Sequence, residues 1–321
     1  MRCVVGGAST PAPMASRSGR RSPRQTEAAA MQPDLRQARP AGTAPRASGF
    51  FDSARETGCN DHACWAYSTR SERDAAAAEW LLEGAKLGQR PIAVTADDDA
   101  GAGLLAAITD APGADSLQEV VHVGIDELHD LSAPIDVDAQ LARYSDAVGK
   151  AIADGYRGLR VFCDITPLIA DPTRHASHAH WEHVADAWMA QGNPMAALCA
   201  YDIGVIDDQA EAVMALHPLR HGPAGSCTPF GLYCRTSGPV LDGEIDAFGV
   251  PALVGALAAL PDGPVDLDVS ELSFLGVRAA AALEQACQSQ LRLVGAPPIV
   301  HRVWQILGFD MRMLHSRRSA S

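Results

Sequence analysis

The sequence predicts an α/β protein in which a mostly parallel sheet covered by helices is followed by a second, smaller α/β unit. Three observations predict it. Short apolar runs of strand length alternate with longer segments of helical period between residues 62 and 218, as expected of a parallel sheet buried on both faces. A stretch dense in Gly and Pro, at residues 221–237, interrupts the alternation and reads as a linker. Beyond it the alternation resumes with a shorter cycle.

The elements follow in order. Residues 1–47 are rich in Arg, Ser, Ala, Pro and Gly without a hydrophobic period, so they are expected to be disordered. An organellar transit peptide, or a start placed ahead of a true one at Met14 or Met31, are the alternatives. Residues 63–67 form an apolar strand, and Ser71 is placed to cap a helix reaching residue 87 before Gly88. Strands are expected at 91–95, 120–123, 159–163 and 196–201, with helices at 104–108, 138–154, 180–190 and 209–216. The second unit carries strands at 239–241, 265–269 and 291–294, and helices at 250–260, 277–288 and 298–307. The expected domains are thus 48–220 and 238–314, joined by the linker and ending in a tail at 315–321.

Composition narrows the class. At 47% hydrophobic and 20% charged residues, the chain suits a soluble globular protein, and no run approaches the roughly 18 apolar residues of a membrane helix. No signal peptide is expected at the start. Of the eight cysteines, Cys163 and Cys199 fall inside apolar runs, which suits small core residues kept as thiols in a reducing cytoplasm. The net charge of −13 is uneven: residues 1–47 hold eight Arg against Glu27 and Asp34, a surplus of +6 that leaves −19 for the remainder. So acidic a body repels phosphates, and nucleic acid is not an expected partner.

Five segments of the first unit carry a family resemblance. They are His62-Ala-Cys-Trp-Ala-Tyr67, Glu79-Trp-Leu-Leu-Glu-Gly-Ala-Lys-Leu-Gly-Gln-Arg90, Gly155-Tyr-Arg-Gly-Leu-Arg160, Ala197-Leu-Cys-Ala-Tyr-Asp202 and His217-Pro218. In this order they resemble the MEDS domain, a sensory domain of methanogens and methylotrophs. The resemblance implies a RecA/KaiC-like fold and the sensing of a small organic ligand. No G-x-x-x-x-G-K-[ST] loop occurs, so nothing cradles a β/γ-phosphate, and binding without turnover is expected.

The second unit resembles a STAS domain, of the anti-sigma-factor-antagonist type. Leu241-Asp-Gly-Glu-Ile-Asp246 is similar to its opening strand, and Val265-Asp-Leu-Asp-Val-Ser-Glu-Leu-Ser-Phe-Leu275 to its central strand and loop. Leu291-Arg-Leu-Val-Gly295 and Val300-His-Arg-Val-Trp-Gln-Ile-Leu-Gly-Phe-Asp310 are similar to its last strand and helix. The resemblance implies a protein partner, an anti-sigma factor or histidine-kinase-like ATPase, met at Gly276, Val277, Arg278 and Ala279. Where the family carries a phosphorylated hydroxyl, this loop reads Gly276-Val-Arg-Ala279. The usual phosphoswitch is therefore absent; either Arg278 fixes a permanent state or the loop has drifted from its role.

Candidate site residues follow from where ligands sit in parallel sheets, beyond the carboxyl ends of the strands. That places Tyr67, Cys163, Asp164, Tyr201 and Asp202 in a ligand pocket, with Tyr67 and Tyr201 equally suited to capping the core. His62 opens its strand and ranks behind them. A cluster of His175, His178, His180 and His183 puts His180 and His183 at helical i, i+3 spacing for a metal. Cys59, His62 and Cys64 form a lesser candidate, and neither set has four ligands at zinc-finger spacing. Asp97, Asp98 and Asp99 fit Mg²⁺ or a helix start equally well. No G-x-S-x-G or H-E-x-x-H occurs. The favoured expectation is a bacterial cytoplasmic signalling protein without cofactor or catalysis; the alternative is a metal- or haem-binding redox sensor using the histidine cluster.

Overall fold

The apolar runs and helical segments of the first unit resolve into fifteen elements among the described residues. A computed structural model describes residues 46–117, 119–206, 209–222 and 228–316. The expected disorder of residues 1–47 falls, but for its last two residues, outside them. In chain order the elements are β1 (Gly49–Phe50), β2 (His62–Tyr67), α1 (Arg70–Lys86), β3 (Arg90–Thr95), α2 (Asp98–Asp110), β4 (Val121–Gly124), α3 (Ile125–Leu128) and α4 (Val137–Ala153). There follow β5 (Leu159–Asp164), α5 (Thr166–Ile169), α6 (His175–Ala190), β6 (Met195–Asp202), α7 (Ile203–Ile206), α8 (Gln209–Ala215) and β7 (Leu219–His221). The strands pair in the order β1-β7-β2-β6-β5-β3-β4, all parallel.

Local chemistry sets the boundaries. Thr69, not Ser71, caps α1 by accepting from the Glu72 backbone N–H. Asp97 caps α2 by accepting from Ala100 N, with Asp98 and Asp99 in the first turn, so the three acids are accounted for by the helix start. Helix α6 begins at His175, five residues ahead of the expected start, because a turn capped by Asp171 leads into it.

Strand alternation divides the side chains between two faces. Cys64, Val161, Cys163, Cys199 and Tyr201 face Val148 of α4 and Trp181, Ala185 and Met189 of α6. Ala63, Trp65, Tyr67, Phe162, Leu198 and Ala200 face Ala77, Trp80 and Leu81 of α1 and Leu104 of α2. Through the second face runs the fully buried Arg160, its guanidinium 3.5 Å from the Trp80 ring. It donates to Trp80 O at 3.1 Å, to Gly58 O at 2.9 Å and to Thr57 Oγ1. Burial brings its pKa down to about 10. A Cβ at Gly84 would lie 2.2 Å from Arg160 Cγ, which explains the glycine on this face of α1.

The second sheet is built from β8 (Phe230–Arg235), β9 (Gly238–Ile245), α9 (Val250–Ala258), β10 (Val265–Leu275), α10 (Val277–Ser289), β11 (Leu291–Val294), α11 (Pro298–Leu307) and β12 (Leu314–His315). Its order is β12-β11-β10-β9-β8, antiparallel only between β8 and β9. Residues 223–227 of the expected linker at 221–237 lie outside the described residues, and its second half is corrected. Phe230-Gly-Leu-Tyr-Cys is buried and pairs with β9 across the turn Thr236–Ser237, the apolar run being masked by the Gly and Pro around it. The expected tail likewise begins inside β12. Among the described residues the two sheets are in contact: α6 packs on β8, α8 packs on α9, and Ala215 and Leu216 enter the core of the second sheet.

Two outcomes test this account. Gly158 has φ +144° and a Cβ there would stand 2.1 Å from Pro194 O, so Gly158→Ala should cost about 1–3 kcal/mol; a urea midpoint equal to wild type would contradict it. His129 is held neutral to about pH 4 by burial, with His178 and Arg143 adding to the effect. Its folded pKa lies below the unfolded value near 6.5, so protonation opposes folding and its contribution is lost as pH falls from 6.5 toward 4. Melting curves across that interval should show a smaller loss for His129→Leu than for wild type.

Candidate functional site

The first face of the large sheet carries, amid its apolar side chains, a cluster of ionisable groups. Helix α6 brings His178, Glu182 and Asp186 to one face at i, i+4 and i+8. Strand β2 contributes His62, β6 contributes Cys199 and Tyr201, and the turn after α8 contributes His217. Each of these is buried.

Glu182 is the centre. Its Oε2 lies 3.1 Å from His62 Nε2, 3.3 Å from His217 Nε2 and 3.8 Å from Cys199 Sγ. Its Oε1 accepts from Tyr201 OH at 3.2 Å and lies 3.2 Å from His178 Nε2. Burial alone would raise the pKa of this carboxyl, but the surrounding histidines hold it well below the usual carboxylate range. Burial opposes protonation of His62, but contacts with Asp186 and Glu182 raise its pKa overall. His178 is neutral, pushed down to about 4 by burial. Burial and Glu182 push the Cys199 thiol well above its ordinary value.

Asp186 extends the cluster. Its Oδ1 lies 3.3 Å from His62 Nδ1 and accepts from Arg46 Nη2 at 2.7 Å. Its Oδ2 accepts from the backbone N–H of Cys234 in β8 at 2.6 Å. Arg46 also donates to Cys234 O at 2.9 Å. Burial opposes the charge on Asp186, yet Arg46 and His62 bring its pKa down to about 2. One carboxylate therefore ties the buried cluster to the second sheet.

The residues expected to share a pocket are divided between the faces. Tyr67 and Asp164 lie on the α1 face, where Tyr67 OH donates to both Asp164 oxygens at 3.2 Å and Arg73 pairs with Asp164 at 2.7 Å. Cys163 and Tyr201 lie on the α6 face. Asp202 accepts from Gly204 N and turns the chain into α7. Grouping by sheet edge overlooked the period of two, which sends Cys163 and Asp164 to opposite faces. His62, ranked behind these residues, is central.

The histidine cluster is also corrected. His175 meets Ile169 O, His180 meets Ala259 O, and His183 Nδ1 lies 3.8 Å from Cys234 Sγ. Only His178 reaches the buried cluster, so the four do not converge, and the haem or metal alternative built on them loses its ligand set. Neither Cys59 nor Cys64 belongs to the group of possible metal ligands formed by His62, Glu182, Cys199 and His217. Glu182 and Asp186 were not singled out by the sequence, although polar residues at i and i+4 on the apolar face of a helix are a signal of a buried site.

Residues 61–218 match a family model described as MEDS: MEthanogen/methylotroph, DcmR Sensory domain. This segment is MEDS-like. The match supports the MEDS resemblance of the first sheet, and the matched residues include every member of the cluster on β2, α6, β6 and the turn after α8. The second sheet lies outside the MEDS match. No curated protein and no solved structure matches the chain.

Asp186→Ala would leave Arg46 and His62 buried without their shared carboxylate. Removing one partner of such a buried pair should destabilise the fold by about 3–5 kcal/mol, read from denaturant midpoints; a change below about 1 kcal/mol would contradict this role.

Proposed function

We propose that the chain is a signal-transduction sensor in which the MEDS-like sheet registers a ligand and the second sheet passes that state to a protein. The observation that carries this is Asp186, which contacts His62 in the sensory segment and Cys234 N in β8. A ligand that repositions His62 thereby acts on a strand of the output sheet, provided it binds the two arrangements with different affinity.

The sensory half is RecA/KaiC-like in descent and has lost nucleotide chemistry. In support, only Ser68 and Thr69 separate β2 from α1, too short a connection to wrap a phosphate. Among the described residues no helix is long and apolar enough to cross a membrane. The ligand is a small organic molecule; the cleft of about 690 Å³ beside α1, lined by residues such as Asp74, Ala78, Leu82 and Ala107, lies on the face of the sheet opposite His62 and is not on this route.

The output sheet is STAS-like, with an anti-sigma factor or histidine-kinase-like ATPase as partner. Of the loop expected to meet it, Val277 is 63% exposed, Arg278 is exposed and Gly276 is half-buried, whereas Ala279 is buried in the core. Phe248 is 86% exposed on the adjoining loop, which Gly276 N joins through Ile245 O at 2.7 Å. Apolar side chains left in water beside a helix start suit a protein interface.

Capture of such an ATPase by the full chain tests the proposal. Val277→Glu and Phe248→Asp should each reduce capture at least tenfold while leaving the circular dichroism of the chain unchanged. Capture undiminished in both variants would sink the partner reading.

A further inference from the structure

Glu182 and three buried neighbours, His62, Cys199 and His217, come together as the ligands of a closed metal site would, four of their six separations being close to those such a site requires. A tetrahedral zinc-class ion, with metal–nitrogen and metal–oxygen bonds of about 2.0–2.1 Å and metal–sulfur of about 2.3 Å, requires ligand separations of roughly 3.3 Å for N···O and roughly 3.5–3.6 Å for N···S and O···S. The observed separations are 3.1 Å for His62 Nε2 to Glu182 Oε2 and 3.3 Å for His217 Nε2 to Glu182 Oε2. They are 3.6 Å for His62 Nε2 to Cys199 Sγ and 3.8 Å for Cys199 Sγ to Glu182 Oε2. All four donor atoms lie within 4.8 Å of one another.

The surroundings orient each lone pair inward. His217 Nδ1 lies 2.9 Å from Val213 O, which fixes its proton there and leaves Nε2 bare. That Nε2 is fully buried and has no hydrogen-bond partner. His62 turns Nδ1 to Asp186 and so directs Nε2 to the same point. Glu182 spends Oε1 on Tyr201 and His178 and keeps Oε2 for it. A partner on the far atom of each ligand is how proteins hold metal-binding histidines and carboxylates.

The geometry points to a divalent transition-metal centre of the zinc class, held by His62 Nε2, Glu182 Oε2, Cys199 Sγ and His217 Nε2. Two neutral imidazoles, a carboxylate and a thiolate make the complex electrically neutral, which suits a buried site. Binding releases the Cys199 thiol proton and any proton on His62 Nε2. With four protein ligands no position remains for a substrate, so the centre is one that senses or stiffens rather than one that catalyses. The inference rests on the cluster alone and stands whether or not the output sheet binds a partner.

Titration of the full chain, stripped by chelator under reducing conditions, with Co²⁺ alone tests it. One equivalent should produce the intense visible bands of tetrahedral Co²⁺ together with a thiolate-to-metal charge-transfer band. Cys199→Ser should abolish the charge-transfer band, His217→Ala should weaken binding by about 100-fold or more, and Asp186→Asn, which acts through His62, by about 10–100-fold. His180→Ala should bind as wild type. A folded wild-type chain lacking either band would overturn the centre, as would a charge-transfer band that survives Cys199→Ser. If Cys199→Ser does not fold, His217→Ala decides, and undiminished Co²⁺ affinity overturns it. Loss of partner capture with the Co²⁺ spectrum intact would refute the proposed output and leave the centre standing.

Discussion

A buried carboxylate is among the costliest groups a core can hold, and Glu182 stands between the sheet and α6 with one per cent of its surface exposed. Its presence dictates what surrounds it. Each oxygen must be met, and each is met by a side chain around it: Tyr201 and His178 on Oε1 and His62 on Oε2, with His217 Nε2 3.3 Å from Oε2. The residues that satisfy Glu182 come from β2, α6, β6 and the turn after α8, so the group can be housed only when those elements are all in register. The parallel pairing of β2 with β6, Cys64 opposite Cys199 and Ala66 opposite Tyr201, sets that register.

One helical turn further along α6, Asp186 repeats the problem with different partners. Arg46 and His62 neutralise it, and the β8 backbone completes its hydrogen bonds. The two carboxylates thus share His62, one on each ring nitrogen. Coupling between sites is carried by such contiguous contacts when the element they hold has two arrangements. Here the element in question is the first strand of the second sheet.

Much of the fold was legible because burial on both faces writes itself as apolar runs: β5 and β6 were placed within one or two residues by their composition. The boundary between the units was not. Strand β8 contains Gly231 and follows Pro229, and the punctuation hid the run Phe230-Gly-Leu-Tyr-Cys. For the site, the legible part was residue type. His62, Cys199, Tyr201 and His217 all lie in segments that carried the MEDS resemblance, yet only Tyr201 and His62 became site candidates, by strand end rather than by face, while Cys199 was read as a core thiol and His217 only as part of a motif. Glu182 and Asp186 carried no motif, and their meaning depends on which strands α6 crosses, a tertiary fact that helical period alone does not contain. The crowded histidines His175 to His183 misled for the complementary reason: neighbours in sequence on a helix diverge around its axis, so only His178 points to the centre.

The antiparallel hairpin of β8 and β9 bears on how such a chain can be cut and recombined. Strand β8 is hydrogen-bonded to β9 along its length while its amide at Cys234 is held by Asp186. A gene fusion that began the second sheet at Gly238, the first residue of β9, would strip β9 of its partner β8 and expose a line of unpaired backbone donors and acceptors. A cassette carrying the second sheet to another protein must start before Phe230, and its new host must supply a carboxylate in the place of Asp186.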